Sequence, residues 1–398
     1  MQLSKWGTTA LALICGAMMG TVAYADEPVE QSHNTFHKAV CARGNPHDTA
    51  RCHAHVVTDS QGVELNGKAA GASPNVVPSG YGPADLRSAY AITTDGTTTI
   101  AIVDAYGYPN AEQDLAVYRA QYGLPACTTA NGCFKKVNQN GVQGSYPQID
   151  VGWAQESALD LDMASAMCPG CKLVLVEATT PSYANLATAV RTAAAMPGVT
   201  VISNSYGGSE TGTTTYEASY NQPGKAVTVS TGDSGYGVAF PASSPHVIAV
   251  GGTRLVRAAN ARGWSETAWT SGGSGCSTVY AKPSFQSDTG CTRRMEADVS
   301  AIGDPNTGVA VYGPTTRRAS GWLVFGGTSV SAPLIGGIYG VTGHGAANGA
   351  AGIYANRASL NDVTSGTNGS CGGTYFCVAG IGYDGPTGLG TPNGTGAF

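Results

Sequence analysis

From residue 99 onward, short apolar runs alternate with segments whose apolar residues recur at helical spacing. Residues 99–104 read as a strand. Residues 111–122 read as a helix, with Leu115, Tyr118 and Tyr122 on one face. Residues 154–167 form a second expected helix, carrying Leu159, Met163 and Ala166 at spacings of four and three. A strand at 172–176 precedes a helix at 183–196, whose Leu186, Val190 and Ala193 share a face before Pro197-Gly198 stops it. Further strands are expected at 199–203, 226–230 and 247–250. Strands alternating with helices imply an α/β fold with a parallel sheet and helices on both faces. The unbroken apolar run Val174-Leu175-Val176 fits a strand buried on both sides. Residues 26–75 are polar and weakly patterned and read as a short N-terminal extension, with the main domain over 76–398. No repeat of solenoid length is visible.

The first residues change the picture of where the chain acts. Lys5, an apolar stretch from Ala10 to Met19, and Ala23-Tyr24-Ala25 together read as an export signal over 1–25, with Asp26 first after cleavage. The apolar stretch is too short to span a membrane comfortably. The chain has 11 cysteines, of which Cys15 falls in that leader. The others lie in close pairs: Cys41/Cys52, Cys127/Cys133, Cys168/Cys171, Cys276/Cys291 and Cys371/Cys377. Local disulfides in an oxidising compartment are expected, so the protein is secreted, to the periplasm or outside the cell. Cys168-Pro169-Gly170-Cys171 has the spacing of a redox motif but no thioredoxin-like setting, and reads as a structural clip. His37, Cys41, Cys52, His53 and His55 could instead hold zinc, although export favours a disulfide there. Charged residues are only 12 % of the 398, the formal net charge is -5, and no basic run occurs. Nucleic acid is therefore not an expected partner, and after signal cleavage neither is a membrane. A monomer is expected.

Candidate chemistry begins with F-G-G-T-S-V-S-A-P at residues 325–333, between an apolar strand and a small-residue run. This places Ser329 at a helix start, where unpaired N–H groups and the dipole favour negative charge. A serine there can attack a carbonyl while its own N–H supports the oxyanion. It needs a base, and the histidines are 33, 37, 47, 53, 55, 246 and 344, with none between His55 and His246. Asp104, in V-D-A-Y-G, suggests a serine–histidine–aspartate triad, but no matching histidine exists, and it reads as structural. Glu156 and Asp160 are spaced i, i+4 on one helical face. Such a pair is unfavourable in water, and is either a solvated acidic face or a dyad sharing a proton. Asp162 lies about 200° around the helix from Asp160. Asp233, in S-T-G-D-S-G, sits in a tight loop after a strand. As a protonated acid it could donate to an oxyanion.

Taken in order, E-x-x-L-D at 156–160, S-x-G-D-S-G around Asp233, F-P-A-S-S-P-H-V-I-A-V-G-G-T at 240–253 and G-T-S-x-S-x-P around Ser329 resemble the sedolisin family, the serine-carboxyl peptidases. The resemblance runs from about Tyr81 to the C-terminus and implies a subtilisin-like fold. It makes Ser329 the nucleophile, Glu156 its base, Asp160 the partner of Glu156, and Asp233 the oxyanion acid. Ser205, Tyr206 and Gly207 resemble the strand bordering the substrate's S1 pocket. Asp362 and Asp384 lie in glycine-rich loops whose hard oxygen donors suit calcium. The resemblance implies a Ca2+ site built from Asp362, Asp384 and the carbonyls of Val363, Gly380 and Gly382. The expected function is that of a secreted, acid-acting serine-type endopeptidase, bell-shaped in pH with a maximum at roughly pH 3 to 5. Its substrates would be proteins or peptides. An inactive binding protein is the alternative reading, but the four catalytic positions are intact. A glycoside hydrolase using a carboxyl pair would leave the Ser329 motif unexplained. One departure stands out. The family carries a long folded prodomain, whereas about fifty residues precede the domain here, marginal for an independent fold.

Overall fold

The computed structural model describes residues 27–45, 47–65, 78–346 and 349–398. The expected signal segment lies outside them, apart from which no described helix is long and apolar enough to cross a membrane. The central sheet runs, from edge to edge, through Trp264–Ala268, Ile248–Arg257, Ala226–Ser230, Val199–Asn204, Thr99–Ala105, Lys172–Ala178 and Phe134–Asn138. Val299–Ile302 pairs in parallel with Ile248–Arg257, and only Trp264–Ala268 runs antiparallel. Every pair from Ile248–Arg257 to Phe134–Asn138 is parallel. This is the α/β fold with a parallel sheet expected from the alternation of strands and helices, in the subtilisin-like form that the resemblance implies. The chain builds outwards on both sides of Thr99–Ala105, so the carboxyl ends near that strand face the switch-point crevice where such folds place their sites.

Two helices pack together on one face of the sheet: Val151–Met167, the acid helix, and Thr328–Thr342, the serine helix. Tyr183–Ala195 covers the opposite face, its Leu186, Val190 and Ala193 buried against Val176 and Val199. Asp150 caps the acid helix by accepting from Trp153 N at 3.0 Å. From Trp153 to Met167 every residue of that helix is buried. It is enclosed because it touches the serine helix, the sheet strand Thr99–Ala105 and a second sheet at once.

That second sheet is antiparallel, in the order Glu30–Ser32, Thr35–Ala39, His55–Thr58, Ala319–Gly326, Val309–Thr316. Its first three strands come from the segment that the residue pattern leaves unstructured. Those strands are three to five residues long, too short for alternation to show, and their burial depends on Phe325 and Gly326 far along the chain. All five close cysteine pairs are disulfides. The Cys41–Cys52 bond removes both thiolates from the zinc alternative.

Candidate active site

Three chain segments meet at the mouth of the switch-point crevice. After the strand Ala319–Gly326, Gly327 turns the chain at φ 100° into the serine helix. Ser329 is the second residue of that helix and is fully buried. Its hydroxyl donates to the carbonyl of Ser205, just past the strand Val199–Asn204, at 3.2 Å. Asp233 follows the strand Ala226–Ser230, and its Oδ1 accepts from both the N–H and the hydroxyl of Thr328 at 2.8 Å. The Thr328 hydroxyl also accepts from Gly232 N at 3.1 Å, tying this loop to the start of the serine helix.

Glu156 and Asp160 project from the acid helix into the same space. Asp160 Oδ1 accepts from the Ser205 hydroxyl at 2.8 Å, while both oxygens of Glu156 are buried without a short hydrogen-bond partner. The solvated-face reading of this pair is thereby replaced by a buried dyad. Burial, then the charges of Asp160 and Asp104, push Glu156 well above the usual carboxylate range, and the neighbouring Ser329 hydroxyl opposes them. Burial and Asp104 raise Asp160 as well, opposed by the hydrogen bond from Ser205 and by the neighbouring Glu156 carboxyl. Asp233 is pushed up to about 7 by burial, opposed by its bonds from Thr328. Its Oδ2 is buried and has no hydrogen-bond partner, so a protonated Asp233 has a free donor beside the serine helix. Asp162 takes no part and accepts from Tyr312 N at 3.0 Å.

Ser329, Glu156, Asp160 and Asp233 therefore meet, although 173 positions separate the first two in the chain. A model of the subtilase family matches residues 136–361, more than half of the chain. The chain belongs to the subtilase family. This subtilase is 30% identical over 366 residues to kumamolisin of Bacillus sp. (strain MN-32). It is 28% identical over 368 residues to sedolisin of Pseudomonas sp. (strain 101). Those matches take in 81% and 82% of this chain but only 64% and 60% of the relatives, so the chain spans less than two thirds of their length. Among solved structures, it resembles Pseudomonas sedolisin, a serine-carboxyl proteinase complexed with two molecules of pseudo-iodotyrostatin. The TM-score is 0.67 at 26% identity, covering 79% of this chain and 95% of that one. The resemblance to sedolisins read from the motifs is thus carried by sequence and fold alike.

Three residues lie at this candidate site that the sequence reading had placed elsewhere or set aside. Asp104, taken there as structural, is fully buried at a strand end, is itself pushed to about 7 by burial, and acts on both members of the dyad. His53 and His55 lie in the crevice too. His53 Nδ1 contacts Ser230 Oγ at 2.7 Å, and His55 Nε2 lies 3.6 Å from Asp233 Oδ2. Neither ring bonds to the Ser329 hydroxyl. Burial, then Arg51, lowers His53 to about 3, and burial, then His37, depresses His55, which disfavours the charged form of both rings. Their alternation with Cys52, Ala54 and Val56 was the signal available. Glu30, His37 and His55 also bring one ligand atom each to within 4.8 Å of one another, the one group of three metal-ligating side chains among the described residues.

In the C-terminal loops, Asp362 Oδ2 accepts from Gly382 N, and Asp384 accepts from Gly380 N and Thr387 N, all at 2.9 Å. Neither carboxylate has an ion pair with a described Lys, Arg or His. Two acids drawn into one glycine-rich loop without a protein cation fit the oxygen-only donor set that a hard cation takes.

Proposed function

We propose that this protein is a secreted, acid-acting serine-type endopeptidase that hydrolyses peptide bonds of proteins or peptides through Ser329, Glu156 and Asp160. The observation that carries this reading is a serine hydroxyl neighboured by a buried carboxyl dyad, with no imidazole bonded to it. In the first step Ser329 Oγ attacks the substrate carbonyl and Glu156 takes its proton. Asp160, held by the Ser205 hydroxyl, shares the proton then gained by the dyad. Such coupling suits two acids whose pKa values are driven apart. The tetrahedral oxyanion is stabilised by the Ser329 N–H at the helix terminus and by the proton on Asp233 Oδ2. Return of the proton to the leaving amine breaks the C–N bond, and water then releases the acyl group by the same steps in reverse.

Ser205, Tyr206 and Gly207 would line the S1 side of the substrate. Asp362, Asp384 and the carbonyls of Val363, Gly380 and Gly382 would hold a calcium ion, which supplies charge balance and a cross-link between loops. Five disulfides suit an oxidising compartment. The test is digestion of a denatured protein across the pH range, with covalent labelling by a peptide aldehyde. Acid-limited digestion that disappears in Ser329→Ala is the expected result. Activity that survives this change, or an optimum near pH 8, overturns the reading.

A further inference from the structure

Two histidines and a glutamate meet on one face of the antiparallel sheet. Glu30 stands directly opposite His37 in the ladder between Glu30–Ser32 and Thr35–Ala39. His55 stands opposite Ala39, two residues along the same strand from His37, so the pleat sends all three side chains to one side. His37 and His55 are buried, at 2% and 4% exposure, and their Nδ1 atoms face each other at 2.9 Å. One ligand atom from each of the three residues lies within 4.8 Å of the other two. The Ser32 hydroxyl donates to Asp304 Oδ1 at 2.7 Å, which fastens the strand that carries Glu30 to the domain.

Unanswered polar groups surround this cluster. Glu30 is half-buried, yet it forms no ion pair with a described Lys, Arg or His. Arg51 and Arg43, the cations that act on it, are both paired with Glu27. Asp233 Oδ2 is buried without a hydrogen-bond partner and lies 3.6 Å from His55 Nε2. The His55 ring therefore presents Nδ1 to the cluster and Nε2 to a carboxylate. Metal-bound imidazoles are held in this way, with the second ring N–H donated to an acid. Trp269 packs edge-on against the same ring at 6.3 Å and limits its rotation. Glu30, His55 and Asp233 also line one cavity of about 490 Å³, which gives an ion a way in and room for a further ligand.

We propose that Glu30, His37 and His55 form a binding site for a zinc-type divalent transition ion, with Asp233 as the acid behind His55. The donors are a carboxylate oxygen of Glu30 and the Nδ1 atoms of His37 and His55, and one position stays open towards the cavity. Two imidazoles and a glutamate with an open fourth position are a donor set that zinc takes. Its two nitrogens set this site apart from the oxygen-only loops at Asp362 and Asp384, which suit a hard cation. Ligand atoms around a tetrahedral zinc with bonds of about 2.0–2.1 Å stand roughly 3.3–3.4 Å apart. The two Nδ1 atoms therefore part slightly as the ion enters, and the half-buried Glu30 side chain closes the remaining distance. In the metal-free protein one hydrogen lies between those two nitrogens, and the ion takes its place. Bound there, it clips the strands Glu30–Ser32, Thr35–Ala39 and His55–Thr58 together and reaches Asp233 through a single ring. The site keeps His37 and His55 from the zinc alternative read in the sequence, and Glu30 stands in for the cysteines lost to the Cys41–Cys52 bond. It does not depend on the peptidase reading.

The test uses the purified full chain, stripped with a chelator and dialysed near neutral pH into excess calcium, which competes for the oxygen-only loops. Zinc chloride is titrated by calorimetry, and cobalt(II) chloride is followed by visible absorption. Expected are saturable binding of one zinc per chain and the intense visible bands of a four-coordinate cobalt(II) centre. Asp233→Asn should weaken zinc about tenfold and keep those bands, since it alters only the partner of a ligand. His37→Ala and Glu30→Gln each remove a ligand, so both should weaken zinc more than that and change the bands. If His37→Ala does not fold, Glu30→Gln carries the test, because Glu30 is half-buried and the change keeps its size. Neither heat nor visible bands would overturn the site. Zinc binding undiminished by the ligand changes would overturn it too, by placing the ion elsewhere. The weak bands of a six-coordinate cobalt centre would overturn the shell described, and an unchanged affinity in Asp233→Asn would remove Asp233 from it.

Discussion

The Ser205 hydroxyl donates to Asp160 Oδ1 at 2.8 Å, while the Ser205 carbonyl accepts from the Ser329 hydroxyl at 3.2 Å. One residue therefore connects the acid dyad to the Ser329 hydroxyl. The hydrogen bond lowers the Asp160 pKa against its burial. Ser205→Ala should raise that pKa, move the acid limb of the pH–rate profile upward and slow turnover about fivefold, the equivalent of about 1 kcal/mol for one hydrogen bond. A kcat loss with the acid limb unmoved would mean that Ser205 acts on substrate binding alone.

The alkaline limb should belong to Asp233. Its pKa of about 7 in the folded protein keeps it protonated in acid, and above that value its negative charge repels the oxyanion. Activity should fall away as pH passes about 7 and be down to about a tenth at about pH 8. Asp233→Asn keeps a donor that cannot ionise. It should be slower at the optimum, by up to roughly 100-fold, yet lose less of its own activity as pH rises. Parallel pH–rate profiles of the two proteins measure this, and identical alkaline limbs would remove Asp233 from the role.

Stability should fall as pH rises, opposite to the usual acid denaturation. Asp104 and Asp233 both stand at about 7 in the folded protein, against 3.8 for an ordinary aspartate. The native state therefore keeps protons that the unfolded chain gives up. The associated stabilisation is complete below about pH 4 and is lost as pH rises through about 7. The melting temperature should decline from about pH 4 to about pH 8. Asp104→Asn should flatten that decline. It should also lower the acid limb of activity, because the Asp104 charge raises both Glu156 and Asp160. Thermal melts at several pH values decide the first point, and a Tm that climbs towards neutrality contradicts it.

Calcium should raise the melting temperature, since a ligand bound by the native state alone adds to the free energy of unfolding. At 100 times its Kd the gain is about 2.7 kcal/mol. For a domain of this size that is roughly 3–4 °C. Asp384→Ala should lower the Tm and abolish the response to calcium and to chelator. Equal melting curves with and without chelator would argue against the site.

Much of the fold was legible in the chain because the central sheet is built from local patterns. The runs at 99–104, 172–176 and 226–230 reappear as Thr99–Ala105, Lys172–Ala178 and Ala226–Ser230, since strands buried on both faces are apolar without interruption. The five disulfides were readable for a similar reason, each joining cysteines no more than 15 positions apart. Ser329, Glu156, Asp160 and Asp233 were found through motif strings, which record residue types but not distances.

Tertiary structure alone decided the environment of those acids. Spacing i, i+4 puts Glu156 and Asp160 on one face in any helix, in water or out of it. Their burial arises because the acid helix is enclosed between the serine helix, the central sheet and a second sheet. Asp104 could not be joined to them from sequence, because 52 positions separate it from Glu156 and only the parallel packing of strand and helix brings their charges together. The segment at 51–56 carried least local information of all. Its strands hold two and four residues, and apart from the nearby pairing with Thr35–Ala39 their partners Tyr206, Gly207, Phe325 and Gly326 lie more than 150 positions away. Pairing energy in a sheet comes from the neighbouring strand, so a short strand has no signature until that neighbour is in place.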